Sequence, residues 1–134
     1  MKNLEPRIMR QRLIVEGKYT ITINEKVIRK YLIELAKTIG MRPLIKPLVF
    51  SPNRIKHPIH HGIAGFIGWV SSGGSIYTWD KFNFFTVDIY TCKSISVSNA
   101  IKFTKKFFKT TKIEYQEIKC YQKDSCSIAS RSRY

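Results

Sequence analysis

Three side chains that could bind or transfer protons recur at every second position near the middle of the chain: Asp88, Tyr90 and Cys92. Successive residues of a β-strand point to opposite faces of its sheet, so this spacing places all three on one face. A carboxylate, a phenol and a thiol on one strand face are typical of a polar ligand site. We therefore expect a functional site on this face, with Asp88 among the residues that bind the substrate.

The run before this strand, residues 71–79, reads Ser-Ser-Gly-Gly-Ser-Ile-Tyr-Thr-Trp. Two glycines between β-rich segments are typical of a tight turn, which predicts a hairpin turning at Gly73 and Gly74. We expect Gly73, Gly74 and the adjacent Ser75 to contribute to substrate binding.

Two amphipathic helices are predicted on either side of these strands. Apolar residues recur with helical period between Val27 and Ile39, after the potential N-cap Asn24 and before Gly40. A second helix is predicted after Ser96, with its lysines on the outer side. Its inward residues are predicted to be Ala100, Ile101, Thr104, Phe107 and Phe108.

Strands are predicted at residues 41–50, 62–70 and 113–118, in addition to the two runs above. Within 41–50, Pro43 and Pro47 require an edge position or positions that donate no hydrogen bond. The order predicts an α+β fold, a two-layer α/β sandwich whose antiparallel-rich sheet carries two helices on one face. We expect a flexible basic arm at residues 1–11, one domain at 12–119 and a basic, disordered tail at 120–134.

Length and composition favour a single compact domain, because 134 residues with 43% apolar side chains can bury a sizeable core. The three cysteines, Cys92, Cys120 and Cys126, form neither an even framework nor a metal-ligand spacing, so we expect reduced thiols. No apolar run is long enough for a membrane span, and the first residues lack the apolar core of a signal peptide. These features predict a cytoplasmic protein that does not bind membranes.

The net charge of +15, from 24 Lys and Arg against nine carboxylates, is high for an enzyme that acts on a small molecule. It indicates a polyanionic partner or, alternatively, a lysine-rich solvated surface. The cations are spread along the chain, which favours nucleic acid less than a dedicated basic helix would. Three histidines, His57, His60 and His61, occur in a loop, but no Cys or carboxylate joins them. We predict no metal site there and expect this loop, including His57, to contact phosphate or substrate.

The run Ser75-Ile-Tyr-Thr-Trp79, followed by Val87-Asp-Ile-Tyr-Thr-Cys92, resembles the core signature of the prokaryotic S-adenosylmethionine decarboxylases. The resemblance extends over about residues 12 to 119 and implies the same α+β fold, with the first strand at residues 13–16. Members of that family cut their own chain at a Glu-Ser bond to make a pyruvoyl cofactor, and they pair subunits with sites near the interface. The resemblance therefore also implies a homo-oligomer, most simply a dimer.

Several positions that serve chain cleavage in the family differ in this sequence. Ser72 keeps the nucleophile, but Ser71 replaces the Glu before it and Gly73 replaces the His after it. The resemblance also places Ala64 and Tyr77 where the family has the serine and histidine that drive cleavage. Alanine has no hydroxyl, and a phenol with a pKa near ~10 is a poor general base at neutral pH. We therefore expect no self-cleavage and no pyruvoyl cofactor.

The resemblance implies that the ligand-binding positions are kept in part. Trp79 matches the aromatic residue that the family stacks on adenine, and Cys92 matches its general acid or, alternatively, is a buried core thiol. Lys81 stands where the family has a Glu that binds the ribose hydroxyls. An ammonium donates hydrogen bonds where a carboxylate accepts them, so Lys81 would suit a ribose that carries a phosphodiester.

The leading functional hypothesis is a lyase that breaks S-adenosylmethionine, or a nucleotide-conjugated derivative, by intramolecular lactonisation without a cofactor. Tyr77 is then expected to contact the methionyl tail, unless it is a core tyrosine. Three alternatives stay open: a pyruvoyl-dependent decarboxylase in which Ser72 still self-processes, a non-catalytic binding or regulatory protein, and a nucleic-acid-binding protein.

Overall fold

The computed structural model describes residues 1–51, 57 and 59–133, with side chains through residue 130. This part of the chain forms seven strands and two α-helices. In chain order they are β1 (Arg10–Lys18), α1 (Glu25–Thr38), β2 (Leu48–Phe50), β3 (Ala64–Trp69), β4 (Ser72–Trp79), β5 (Phe84–Thr91), α2 (Val97–Phe107), β6 (Lys112–Cys120) and β7 (Ser127–Arg133). A short 3-10 helix, Asp80–Phe82, connects β4 to β5.

The seven strands form one antiparallel sheet in the order β2-β3-β4-β5-β1-β6-β7. Both helices pack on the same face of this sheet, where the inward residues of the strands are almost completely buried. We call this the covered face and the opposite one the open face. The predicted α+β sandwich with two helices on one side is confirmed.

Helix α1 begins and ends where its capping residues predict. The side chain of Asn24 accepts a hydrogen bond from the backbone N–H of Val27, and Gly40 adopts a φ of 69° just after the helix. The apolar stripe is buried against the sheet, with Ile28, Tyr31, Leu32, Leu35 and Ala36 forming the contact. Burial of this stripe, more than intrinsic helix propensity, holds α1 in place.

Helix α2 also follows its predicted pattern, because Ser96 accepts a hydrogen bond from the backbone N–H of Asn99. The two helices meet at Tyr31, whose hydroxyl lies 2.9 Å from the Thr104 hydroxyl. The ring of Tyr31 stacks on Phe103 with centroids 5.6 Å apart. This contact fixes the helices side by side over the sheet.

The predicted turn at the two glycines is wrong. The hairpin between β3 and β4 turns at Val70 and Ser71, whose φ of 51° lies in the left-handed region, and Trp69 pairs with Ser72. Gly73 and Gly74 lie inside β4. The conformational freedom of paired glycines is typical of a turn, whereas in the structure Gly73 forms part of a hollow surface.

The predicted disordered tail is also wrong, because residues 127–133 form β7 along the free edge of β6. A sheet edge offers unpaired backbone groups, and a polar segment can satisfy them without apolar side chains. Cys120 and Cys126 are joined by a disulfide across the turn between these strands, so the expectation of reduced thiols is wrong for this pair. Cys92 is free.

The N-terminal arm is held in place where we expected flexibility. Lys2 forms a bridge with Ser125, and the backbone N–H of Asn3 donates to the carbonyl of Asp124 at 2.7 Å. Asn3 is buried, and Arg10, predicted to lie in the arm, begins β1. The arm is ordered by the turn at Cys120 and Cys126, a long-range contact that its own polar sequence does not indicate.

The segment with two prolines forms only a short strand, Leu48–Phe50, after Pro47 and at the edge of the sheet. This placement agrees with the expectation that proline excludes a central strand. In the described part of the chain, neither helix combines the length and apolar character that crossing a membrane requires.

Candidate functional site

The open face displays every second residue of the central strands, aligned into rows by the antiparallel register. One row runs from Gly68 through Gly73 and Tyr90 to Arg12, across β3, β4, β5 and β1. The next row runs from Phe66 through Ser75 and Asp88 to Ile14. Chemically distinct side chains from four strands are thus brought together on one surface.

A cleft of about 600 Å³ lies over these two rows. Its volume falls within the range of small-molecule sites. The residues that line it are Arg12, Ile14, Ile45, Phe66, Ile67, Gly68, Gly73, Gly74, Ser75, Asp88, Ile89 and Tyr90. The cleft is therefore the strongest candidate for a ligand site in the described part of the chain.

The floor of the cleft is hollow because two glycines, Gly68 and Gly73, face each other on neighbouring strands. A Cβ atom on Gly68 would meet the side chain of Ile45 at ordinary contact distance, 3.5 Å. The backbone would therefore tolerate a side chain at Gly68. Close packing therefore does not require a glycine at this position, but a hollow cleft floor does.

The walls of the cleft carry opposite charges and hydroxyl groups. The guanidinium of Arg12 lies over the ring of Tyr90, 4.8 Å from its centroid, a cation-π contact. Ser75 and Asp88 are cross-strand partners in the neighbouring row. The cleft can therefore bind a carboxylate or phosphate at Arg12 and a cation at Asp88, with the aromatic ring of Phe66 nearby.

An aromatic row extends from the cleft toward the far end of β4. The ring of Phe66 packs edge-on against Tyr77 with centroids 5.7 Å apart, Tyr77 lies 6.4 Å from Trp79, and Trp79 lies 5.4 Å from Phe84. A small hollow of about 120 Å³ borders Tyr77 and Trp79 and is also lined by His60, Gly62, Ile63, Ala64 and Thr78. The hollow is too small to hold an adenosyl group by itself.

The connection from β4 to β5 is firmly anchored beside this row. The hydroxyl of Tyr19 donates to the carboxylate of Asp80 at 3.1 Å. Burial, together with the neighbouring Asp80 carboxylate, raises the pKa of Tyr19 above its ordinary value. Gly62 packs so closely on β4 that a Cβ atom there would overlap the Thr78 carbonyl. These contacts position Trp79 at the end of its strand.

Ser72 and Cys92 lie at the opposite end of β4. The hydroxyl oxygen of Ser72 accepts a hydrogen bond from the backbone N–H of Cys92 at 3.1 Å and lies 3.6 Å from its sulfur. The strand alternation places Ser72 on the covered face with Ile76, whereas Tyr77 lies on the open face. Within one chain, therefore, Ser72 and Tyr77 do not share a site.

Lys81 and His57 line neither the cleft nor the small hollow beside Trp79. Lys81 is exposed on the 3-10 helix after Trp79, and its ammonium lies 5.8 Å from the centroid of the Phe82 ring. His57 packs against His60 with ring centroids 4.4 Å apart. Residues 52–56 and 58 of the basic loop lie outside the described residues, so its phosphate contacts stay a prediction. Within the described residues, no group of three or more potential metal ligands occurs.

The comparison with family models decides the family. The model described as S-adenosylmethionine decarboxylase matches residues 14–120, well over half of the chain. The chain belongs to the S-adenosylmethionine decarboxylase family. Among solved structures, it is similar to the adenosylmethionine decarboxylase from Aquifex aeolicus, with 19% identity, a TM-score of 0.62, and coverage of 83% of this chain and 89% of that one. No curated protein matches the sequence.

The positions that the resemblance relates to chain cleavage or to the general acid fall into two groups in this structure. Ala64 and Tyr77 are direct cross-strand partners on the open face. Ser72 and Cys92 form the second group, five residues before Tyr77 along β4 and about 16 Å away at the rise of a β-strand. The fold of the S-adenosylmethionine decarboxylases is therefore present, with these two groups separated within one chain.

Sequence reasoning identified part of the cleft and missed the rest. The predicted residues Gly73, Gly74, Ser75 and Asp88 line it, whereas Tyr77 and Trp79 lie beyond it along the aromatic row. The cleft residues outside β4 and β5 were missed: Arg12, Ile14, Ile45, Phe66, Ile67 and Gly68. Tyr90 was predicted on the strand face but not as a site residue. The alternation of residue types along β1 and β3 indicates which side chains share a face. Only the pairing register of the strands shows that these side chains lie beside those of β5.

Proposed function

We propose that this protein breaks S-adenosylmethionine, or a derivative with a nucleotide on its ribose, into a lactone and a 5′-methylthioadenosine product. The observation that carries the proposal is the cleft, in which Arg12 and Asp88 offer opposite charges above a glycine floor. The methionyl tail of the substrate carries a carboxylate, an ammonium and a sulfonium. A site with one guanidinium and one carboxylate can pair with the carboxylate and the ammonium of this tail.

The proposed reaction needs no cofactor and no proton transfer. A carboxylate oxygen of the substrate attacks its own γ-carbon, a C–O bond forms, and the C–S bond breaks with its electron pair passing to sulfur. The positive sulfonium thereby becomes a neutral thioether. Well-oriented intramolecular reactions reach effective molarities of ~10⁵–10⁸ M, so holding the tail in a folded conformation supplies most of the acceleration.

Specific residues have distinct roles in this proposal. Asp88 pairs with the substrate ammonium, and Arg12 orients the carboxylate while one oxygen stays free to attack. The hydroxyl of Tyr77 approaches the tail from the rim, since its ring packs against Phe66 on the cleft wall. Cys92 lies beside Ser72, away from the cleft, so we assign its catalytic role to the decarboxylase alternative below.

The aromatic row supports binding of an added nucleotide. Trp79 and Phe84 present ring surfaces on which a base can stack, worth ~1–3 kcal/mol per base. The ammonium of Lys18 lies 5.7 Å from the centroid of the Phe84 ring, and Lys81 lies two residues after Trp79. We propose that these cations bind the phosphodiester of a conjugated substrate, which would add a favourable contact that S-adenosylmethionine lacks.

A dimer through the open faces is part of the proposal. Leu48, Phe50 and Ile128 belong to the open face and are each more than half exposed. Pairing of two open faces would cover these three side chains. Sedimentation velocity tests it, and a monomer at all concentrations would contradict it.

The test of the activity is chromatographic detection of the two products from both substrates. Arg12→Gln and Asp88→Asn are each expected to lower kcat/KM at least ten-fold, because hydrogen bonds to charged groups contribute ~1.5–3 kcal/mol. Lys119→Gln, outside the cleft, is the matched control and should leave turnover unchanged. Binding of substrate without products would favour a non-catalytic protein.

A pyruvoyl-dependent decarboxylase is the second candidate, because Ser72 and Cys92 contact each other at the start of β4. A denaturing mass spectrum distinguishes the two. The lyase predicts one intact chain of 15.7 kDa. Two fragments separated at Ser72, with release of carbon dioxide from S-adenosylmethionine, would instead establish the decarboxylase.

A further inference from the structure

The outer surface of the helices carries a marked excess of cations over carboxylates. Eight exposed cations lie on or just after the two helices: Lys26, Arg29, Lys30 and Lys37 of α1, and Lys102, Lys105, Lys106 and Lys109 of α2 and its end. Only two carboxylates, Glu25 and Glu34, lie among them. The open face, by comparison, is nearly balanced, with Arg10, Arg12, Lys18 and Lys112 against Glu16, Asp88 and Glu114.

The four cations at α2 form a continuous row, which we call the lysine row: Lys102, Lys105, Lys106 and Lys109. Lys105 and Lys106 lie three and four residues after Lys102 on the helix, about 5–6 Å from it, and Lys109 follows the end of the helix. Like charges at this spacing destabilise a helix by about 0.2–0.5 kcal/mol per pair. The helix dipole favours only the cations of the last turn, such as Lys105 and Lys106.

Carboxylates near the row do little to offset it. The first turn of α2 contains no acidic residue. Within the described residues, the one salt bridge on the helices joins Lys30 to Glu34 at 3.8 Å, and both side chains are exposed. Such a surface pair contributes little. The row therefore lowers helix stability unless an external anion approaches it.

We propose that the lysine row and the neighbouring cations of α1 bind the phosphate backbone of a nucleic acid. The surface does not suit a lipid bilayer, because the apolar stripes of both helices are buried against the sheet. It does not suit a protein interface, because none of the exposed large hydrophobic residues lies in either helix. A cluster of exposed ammonium groups suits the phosphate backbone of a nucleic acid.

Recognition of this kind depends on charge and reads no base sequence, because the row has no amide or planar group positioned for bidentate contacts with bases. Its signature is salt dependence. For duplex DNA, the logarithm of affinity falls with the logarithm of salt concentration at about 0.9 per neutralised phosphate. Four lysines therefore account for a slope of about 3.6. The surface lies on the opposite side of the sheet from the cleft, so the two sites can be occupied together.

The experiment measures fluorescence anisotropy of a labelled DNA duplex against the full chain at increasing salt concentration. The combined variant Lys102→Gln, Lys105→Gln, Lys106→Gln and Lys109→Gln should bind at least ten-fold more weakly at low salt. Its salt slope should fall by about 3.6 relative to the unmodified protein. Melting by circular dichroism checks that the variant is folded.

The control is Lys2→Gln, Lys46→Gln, Lys119→Gln and Lys123→Gln, which removes the same charge away from the helices. It should retain most of the affinity and salt slope. Equal losses in the two variants would overturn the proposal, because charge anywhere on the molecule would then suffice. Unchanged binding in the lysine-row variant would overturn it too. Tighter binding to phosphatidylserine vesicles or to polyglutamate than to the duplex would show that the surface serves another partner.

Discussion

The two faces of the sheet share the same strands and differ in almost every other respect. On the covered face, β5 presents Phe85, Val87 and Ile89, all nearly or completely buried beneath the helices. On the open face, the same strand presents Asp88 and Tyr90 to the cleft. Residues adjacent in sequence thus serve different ends: one set stabilises the fold, and the other is available to a ligand.

The largest expected difference between the faces lies at two neighbouring phenylalanines. Phe85 is completely buried and stacks on Phe108 at 4.7 Å, so Phe85→Ala should lower the free energy of unfolding by about 3–5 kcal/mol. Phe84 is half-buried on the open face. Phe84→Ala should lower the free energy of unfolding by less than about 1.5 kcal/mol, because it leaves no enclosed cavity. Urea denaturation measures both. Equal losses would mean that the open face is also core.

The second contrast uses two glycines of β3. A Cβ atom at Gly65 would lie 2.7 Å from Ile28 and 2.9 Å from Leu32, so Gly65→Ala should destabilise the chain by about 1–3 kcal/mol through overpacking. Gly68→Ala should change stability by less than about 0.5 kcal/mol, because its Cβ would make an ordinary contact. Thermal melting measures both.

Gly68 also provides a test of the cleft as the substrate site. Gly68→Val would extend a side chain into the space above the floor and should reduce substrate turnover while the protein stays folded. If Gly68→Val retained full turnover, the substrate would have to bind elsewhere on the molecule. This result would contradict the cleft without affecting the assignment of Gly65 to the core.

The contrast between faces also explains what the sequence could predict. Both helices and their caps, Asn24 and Ser96, follow from local signals within about one turn. The alternation of Asp88 and Tyr90 along β5 likewise needs only neighbouring residues. These elements were predicted because one segment of sequence contains the whole signal.

What was missed depends on contacts between distant segments. Arg12 enters the cleft only because β1 pairs with β5 in a register that places it beside Tyr90. Similarly, β7 forms because β6 offers an unpaired edge, and the arm is ordered by a turn more than a hundred residues away at Asp124. No local pattern specifies these pairings. The positions of the cleft walls and of both chain ends therefore could not be predicted from the sequence.

The smallest contrast concerns a proton on the covered face. Tyr31 is completely buried, and burial raises the pKa of its hydroxyl well above the ordinary value, although the hydrogen bond with Thr104 lowers it slightly. A raised pKa in the folded state means that the unfolded chain releases this proton first. The stability that Tyr31 contributes by staying neutral is therefore complete below about pH 10, the ordinary tyrosine pKa, and is lost as the pH rises further.

Above about pH 10, unfolding should become easier by about 1.4 kcal/mol per pH unit through this one group. Tyr31→Phe removes the proton and the hydrogen bond, so it should destabilise the protein by about 0.5–1.5 kcal/mol at neutral pH but lose less stability on alkalinisation. Urea midpoints at several alkaline pH values measure the difference between the two proteins. The difference in stability between the two proteins should shrink as the pH rises, because only the unmodified protein loses the contribution of Tyr31 and all other titrating groups are common to both. Parallel profiles would show that Tyr31 reaches solvent before the chain unfolds, and the covered face would then be less closed than the packing around Phe103 indicates.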